Sequence, residues 1–279
     1  MPIARPSTLD GALDALASLP GADLLAGGTD LMVAITHRAH RPRDVVALRR
    51  IAELDRIEVT DTHLTLGALV RWSTMAADLT ELAPGLAMAA RSVGSPQIRN
   101  AGTLGGNLAT ASPAGDALPW LVALEAEVEL ASPAGTRTVA IADWLTGPKR
   151  NARADDEIVT AVRVPRTDGP QHVAKVGPRN AMVIAVASVA LVLDRTARRV
   201  RVGLGSVGPT ALAAPEAAAE AGAAIDWDAL TCPEDAIERF AAGVAAAARP
   251  IDDHRASADY RRHVVGVLAG RTLRRCLAA

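Results

Sequence analysis

Two short stretches carry the residue types needed to hold an anion: "AGGTD" at Ala26 to Asp30 and "GTLGGN" at Gly102 to Asn107. Adjacent glycines remove Cβ atoms from the backbone, so successive N–H groups can face one concavity and approach a phosphate closely. Where such a turn opens a helix, as at Thr29, the positive end of the helix dipole adds to the attraction. Two turns of this kind in one region suit a pyrophosphate. A tight turn without a ligand accounts for either one taken alone.

Directional contacts are offered by "NLATASPAGD", where Ser112 can bond a phosphate or sugar oxygen and the Asp116 carboxylate can accept two ribose hydroxyls. Asp116 also stands directly before a helical pattern, where N-capping would explain it equally well. The basic residues are almost all arginine; Lys149 and Lys175 are the two lysines. A lysine kept in such a composition can mark a compact point charge facing a cofactor, and a solvated surface lysine is the alternative.

Other chemistry lacks its residues. Cys232 and Cys276 have no CxxC spacing, so thiolates cannot build an iron–sulfur or structural zinc site, and the six histidines form no HxxxH pair. No metal site is expected, and neither GxSxG nor GxxxxGK[ST] occurs. A literal GxGxxG, "GLGSVG" at Gly203 to Gly208, follows the strand-like "RRVRV". Pro209 comes directly after its third glycine and no second strand precedes the acids of "AIDWDAL", so a strand-and-turn role is expected instead of a dinucleotide fingerprint.

Periodicity supplies the elements that must position these residues. "STLDGALDALASLP" puts Leu9, Ala12, Leu13 and Leu16 on one helical face, with Ser7 as N-cap and Pro20-Gly21 as the stop. The strand-like "ADLLAG" leads into the first glycine turn, and Thr29 or Asp30 is placed to cap the helix that follows. Short strands at "DVVAL", "RIEVT" and "LTLGA" precede helices near Ser73 to Leu79 and Pro84 to Val93. "ALPWLVALEA" reads as a helix with Pro119 in its first turn, and "EVELASPAGTRTVAI" as a hairpin. These strands are too short and too irregularly spaced for a parallel βαβ array. After a polar link at Thr167 to Gln171 come strands at "HVAKVG", "IAVASVALVLD" and "RVRVGLGSVG", then alanine-rich helices and an amphipathic C-terminal helix in which Tyr260 and His263 are expected as surface or packing residues and not as catalysts.

The chain has 279 residues, of which 49% are hydrophobic, enough for two domains with a substantial core. A net charge of −1 gives no footprint for nucleic acid. The longest apolar run, Ala181 to Leu193, is too short to span a membrane, and "MPIARPSTLD" lacks a signal core, which predicts a cytoplasmic protein.

"LLAGGTDL", "GSPQIRNAGTLGGNLATASPAGDALPWLVALEAEVEL", "DDEIVTAVRVP" and "HVAKVGPRNAM", in that order, resemble the FAD-binding subunit of molybdenum hydroxylases, the xanthine dehydrogenase, carbon monoxide dehydrogenase and aldehyde oxidoreductase family. "DDHRASADYRRHVVGVL" is similar to that family's last helices, so the resemblance spans nearly the whole chain. It implies an α+β fold: a two-subdomain FAD-binding domain of the p-cresol methylhydroxylase and vanillyl-alcohol oxidase type, then a C-terminal domain of antiparallel sheet and helical bundle. The expected bounds are 1–167, divided at 55/56, and 168–279. The resemblance further implies that Ala26, Gly27, Gly28, Thr29, Asp30, Thr103, Leu104, Gly105, Gly106 and Asn107 line the FAD pyrophosphate. Ser112 and Asp116 would bind the adenosine side, Ile158 and Val159 would touch the isoalloxazine, and Lys175 would lie near the flavin ring. Val173 stands where relatives commonly have an aromatic residue.

The function so implied is electron transfer: from a partner large subunit with a molybdenum cofactor, through a small subunit with [2Fe-2S] clusters, to FAD here, and on to NAD+ or another acceptor. No residue of this chain would then be catalytic toward the organic substrate. A self-sufficient FAD oxidase or dehydrogenase and a flavin-free nucleotide-binding or scaffold protein are the two other classes compatible with the residues.

Overall fold

The computed structural model describes residues 3–37, 40–41 and 44–279. It opens with β1 (Ile3–Ala4), α1 (Leu9–Ser18), β2 (Asp23–Leu25), α2 (Leu31–Thr36) and β3 (Val45–Ala47). The three strands form a parallel sheet in the order β1-β3-β2. Helix α1 buries Ala12, Leu13 and Leu16 against Val46, Leu48 and Ile51. Its cap is Thr8, not Ser7: the Gly11 N–H donates to Thr8 Oγ1 at 3.2 Å, a distance the residue one step earlier does not span.

The middle of the chain runs β4 (Ile57–Val59), β5 (His63–Gly67), α3 (Trp72–Asp78), α4 (Pro84–Ser92), α5 (Pro96–Ala101), α6 (Leu104–Thr110), α7 (Leu118–Ala123), β6 (Glu127–Ser132) and β7 (Gly135–Ala140). It continues through the single turn α8 (Ile141–Trp144) and the hairpin β8 (Leu145–Gly147) and β9 (Arg150–Asn151) to β10 (Ile158–Pro165). Five strands pair antiparallel in the order β4-β5-β10-β6-β7. Trp120 and Trp144 are fully buried, and each indole N–H has an acceptor, Gln171 Oε1 at 2.8 Å and the Leu108 carbonyl at 3.0 Å. An aromatic donor left unpaired at that depth would destabilise the core.

The rest comprises β11 (Gln171–Val176), β12 (Ala187–Asp194), β13 (Arg199–Gly205), β14 (Leu212–Ala213), α9 (Pro215–Ala224), α10 (Glu234–Ala247) and α11 (Ala258–Leu277). The four strands form an antiparallel sheet in chain order. Every residue of β12 is buried. Because side chains alternate across a strand, Ala187, Val189, Leu191 and Leu193 pack with the C-terminal helices while Ala190 and Val192 join the core of the preceding unit. The contact between the two units is therefore a packed hydrophobic layer.

Gly203 and Gly205 lie where α7 crosses this sheet. A Cβ at Gly203 would stand 1.9 Å from the Pro119 carbonyl oxygen, and one at Gly205 2.8 Å from Pro119 Cγ. The first two glycines of "GLGSVG" are there for packing.

Candidate functional site

A cleft of about 1100 Å³ opens between the β1-β3-β2 unit, helices α5 and α6, the β8–β9 hairpin and the segment following β11. The two glycine stretches meet on its wall. A Cβ at Gly27 would lie 2.1 Å from the Ala101 carbonyl oxygen and 2.8 Å from Gly102 Cα, so only glycine permits this contact. Gly28 then turns the chain with φ +75°, a conformation L side chains rarely adopt. From Gly27 to Leu31 no backbone N–H has a partner among the described residues. Five adjacent amides are thus available to a ligand.

The second stretch works differently from the sequence expectation. "GTLGGN" is the start of helix α6 and not an open turn, and its amides are engaged internally. Leu104 and Gly105 N–H donate to the Val70 and Ala68 carbonyls at 3.0 and 2.8 Å; Gly106 and Asn107 N–H donate to Thr103 Oγ1 and Thr103 O, both at 3.1 Å. Gly105 is required for packing, since a Cβ would stand 2.6 Å from the Ala68 Cβ. What this stretch offers the cleft is the face of Thr103, Gly105, Gly106 and Asn107. Asn107 Oδ1 is buried without a hydrogen-bond partner. A buried acceptor in that condition calls for a donor from outside the chain.

Thr110 Oγ1 donates to Asp30 Oδ2 at 3.1 Å, joining the two walls, so Asp30 does not cap α2 with its side chain. Ser112 lines the cleft, and its Oγ accepts the Ala114 N–H at 3.3 Å. Asp116 also lines it but does not cap α7; its carboxylate binds Lys175 Nζ at 2.9 Å. Burial raises the Asp116 pKa, and the ion pair with Lys175 pulls it back without cancelling the rise.

Lys175 does not itself line the cleft. Its ammonium also donates to the Ser92 carbonyl at 2.9 Å and the Val183 carbonyl at 3.2 Å, which engages all three donors. An adenosine contact by Asp116 and a ring contact by Lys175 therefore cannot lie at opposite ends of a ligand. Leu104 and Ile158 are fully buried away from the cleft. Ile158 and Val159 are neighbours in β10, so strand alternation sends Val159 to the cleft and Ile158 into the core beneath α1.

Sequence reasoning missed Trp72, Val93, Ile98, Arg150, Asn151, Arg153 and Ile184, all of which line the cleft. The signal for part of this set is "LTGPKRN", a Gly-Pro turn between two short strands. Asn151 Nδ2 ties that hairpin to the Ala109 carbonyl at 2.7 Å. Arg153 Nη1 reaches the carbonyls of Ala154 and Glu157, each at 2.8 Å, and closes the loop that follows.

A family profile described as the FAD binding domain in molybdopterin dehydrogenase matches residues 1–167, and one described as the CO dehydrogenase flavoprotein C-terminal domain matches residues 172–276. The chain belongs to this flavoprotein family. The nicotinate dehydrogenase FAD-subunit of Eubacterium barkeri is 37% identical over 191 residues, 65% of this chain and 64% of that protein. The carbon monoxide dehydrogenase medium chain of Afipia carboxidovorans is 31% identical over 98% of this chain and 96% of its own length. Among solved structures, reconstituted CO dehydrogenase from Oligotropha carboxidovorans superposes with a TM-score of 0.90 at 29% identity, covering all of this chain and 98% of the other.

FAD is the cofactor of the family, and the cleft of this flavoprotein fits it on three counts. The free amides from Gly27 to Leu31 suit a pyrophosphate, the orphaned Asn107 Oδ1 awaits a donor, and Leu25, Val33, Val93, Ile98, Val159 and Ile184 supply apolar surface for a planar ring. Among the described residues no helix is long and apolar enough to cross a membrane, and no three His, Cys, Asp or Glu side chains converge as a metal site would require.

Proposed function

We propose that this chain is the FAD-binding electron-transfer subunit of a cytoplasmic molybdenum hydroxylase complex. Its partners are a large subunit with a molybdenum cofactor and a small subunit with [2Fe-2S] clusters, and its acceptor is NAD+ or another small oxidant. Residues 1–167 form the flavin-binding domain, divided near residue 55, and 168–279 the C-terminal domain. Bound FAD supplies the exchange between one-electron carriers and a two-electron acceptor. The chain's own residues bind and orient it.

One observation carries this reading: five adjacent amides without partners, from Gly27 to Leu31, share a cleft with the unpartnered Asn107 Oδ1. On this reading the amides hold the pyrophosphate, Asn107 accepts from an N–H or O–H of the nucleotide or ring, and Asp116 is fixed by Lys175 as an acceptor at one end. Val159, Ile98 and Ile184 exclude water from the ring. The partner assignment is supported by the names of the relatives, one an FAD-subunit and one a medium chain.

The test is native purification of the chain with metal analysis and a visible spectrum. Flavin absorbance with molybdenum and iron co-eluting is the expected result. A flavoprotein that elutes alone and oxidises a small molecule, or a chain that takes up no flavin on reconstitution, overturns it.

A further inference from the structure

Four charged residues line the cleft: Asp30, Asp116, Arg150 and Arg153. Three are engaged with the protein. Asp30 holds Thr110, Asp116 holds Lys175, and Arg153 holds the carbonyls of its own loop. The Arg150 guanidinium alone makes no hydrogen bond or ion pair among the described residues; its backbone pairs with Gly147 across the hairpin.

Arg150 is exposed, but the backbone that carries it is anchored. Arg150 opens strand β9, and the hairpin is tied to α6 by the Asn151 side chain on the Ala109 carbonyl and by the Lys149 N–H on the Ala111 carbonyl at 3.0 Å. The guanidinium folds back over Gly147, where a Cβ would come within 3.0 Å of Nη2 and 3.1 Å of Nε. A side chain at Gly147 would displace it. The hairpin thus presents a planar cation to the cleft with no internal partner, in a site whose one buried unpartnered side-chain oxygen, Asn107 Oδ1, is an acceptor and cannot neutralise an anion.

Resting on the reading of the cleft as an FAD site, we propose that Arg150 is the cationic anchor of the cofactor's pyrophosphate. It complements the neutral amides of Gly27 to Leu31 with the charge they lack. Guanidinium groups match phosphate oxygens with two parallel N–H donors, so the contact adds orientation as well as attraction. It selects FAD over flavins that have no pyrophosphate.

Apoprotein of the wild type, Arg150→Ala, Arg150→Lys and the remote surface control Arg262→Ala is titrated with FAD and riboflavin by flavin fluorescence and with ADP by calorimetry. Thermal unfolding of each apoprotein is recorded alongside. The expected result is an FAD and ADP Kd raised at least tenfold in Arg150→Ala, with riboflavin binding and the melting temperature unchanged. Arg150→Lys, which keeps the charge and loses the fork, should fall between. Wild-type FAD affinity should weaken as salt rises, and that of Arg150→Ala much less. An FAD Kd within twofold of wild type in Arg150→Ala overturns the proposal, as does an equal loss for riboflavin, which would mean a ring contact or a disturbed fold. If wild-type apoprotein binds no flavin at all, the FAD reading fails and this proposal with it.

Discussion

Lys175 on β11 and Asp116 ahead of α7 meet at 2.9 Å across the junction between the two halves of the chain. The same ammonium holds the Ser92 carbonyl of the first half and the Val183 carbonyl of the segment that carries Ile184 to the cleft. The pair therefore fixes a cleft wall from behind. Removing one partner of a buried pair leaves the other charge uncompensated, so Lys175→Met should destabilise the protein by about 3 kcal/mol at neutral pH.

The pH dependence of that loss has a definite sign. Asp116 already has a raised pKa because burial outweighs its pairing, and losing Lys175 raises it further. A carboxyl with a raised folded pKa contributes stability that is present below its unfolded pKa and lost as pH rises through the folded one. The gap between wild type and Lys175→Met should therefore narrow at acid pH and widen toward neutrality. Thermal melts from pH 4 to 8 check this; a gap independent of pH would mean that Asp116 does not feel Lys175.

Gly27 and Gly106, one from each glycine stretch, should respond differently to alanine. A Cβ at Gly27 collides with backbone, the Ala101 carbonyl, so Gly27→Ala must shift a wall of the cleft and should lose both flavin and about 2 kcal/mol of stability. A Cβ at Gly106 meets only Thr103 Oγ1, at 3.1 Å. Gly106→Ala sits inside a helix, where alanine is favoured, and should stay within about 1 kcal/mol of wild type. Flavin content by absorbance, with circular dichroism melts, separates the two.

Much of this site was legible as residue types but not as contacts. The pairing of the glycine stretches followed from composition, whereas their division of labour did not. The Leu104 and Gly105 amides are engaged by Val70 and Ala68 carbonyls over thirty residues away in sequence, which only the fold brings near, whereas those of Gly106 and Asn107 bond locally to Thr103. Asp116 had a local explanation as a cap, and a long-range partner overrode it. "GLGSVG" matched a ligand motif because close packing and close ligand approach make the same demand on a backbone. Ile158 and Val159 matched the family as a pair, but the two-residue period of a strand lets only one face the cleft.

The cysteines give a test of the C-terminal core. Cys276 is buried in the helical layer, and burial pushes its thiol up to about 12; Cys232 is only partly buried, and its thiol is also raised, by burial first. The thiolate is the reactive form. At pH 8 a thiol reagent should label Cys232 slowly in the native protein and Cys276 only after unfolding. Mass spectrometry of the labelled peptides reads this, and rapid labelling of native Cys276 would contradict the packing of α11.

Arg261 on α11 is almost fully buried and ties three elements together: its guanidinium donates to the Val186 and Ser206 carbonyls at 2.8 and 2.9 Å and to Asp253 Oδ1 at 2.6 Å. Burial alone would raise the Asp253 pKa, but N–H donors from Arg255 and Ala256 and the Arg261 charge hold it at about 2. The unfolded chain then binds the extra proton between the usual carboxylate pKa near 3.8 and about 2, so stability falls as pH drops through that window. Asp253→Asn removes this dependence and leaves a buried guanidinium without its counter-charge, so it should cost about 3 kcal/mol at neutral pH and progressively less toward pH 2. Val186 closes the segment that brings Ile184 to the cleft, so the same variant should also weaken FAD binding severalfold. Unchanged flavin affinity in a destabilised Asp253→Asn would show that the cleft wall does not depend on the Arg261–Asp253 pair.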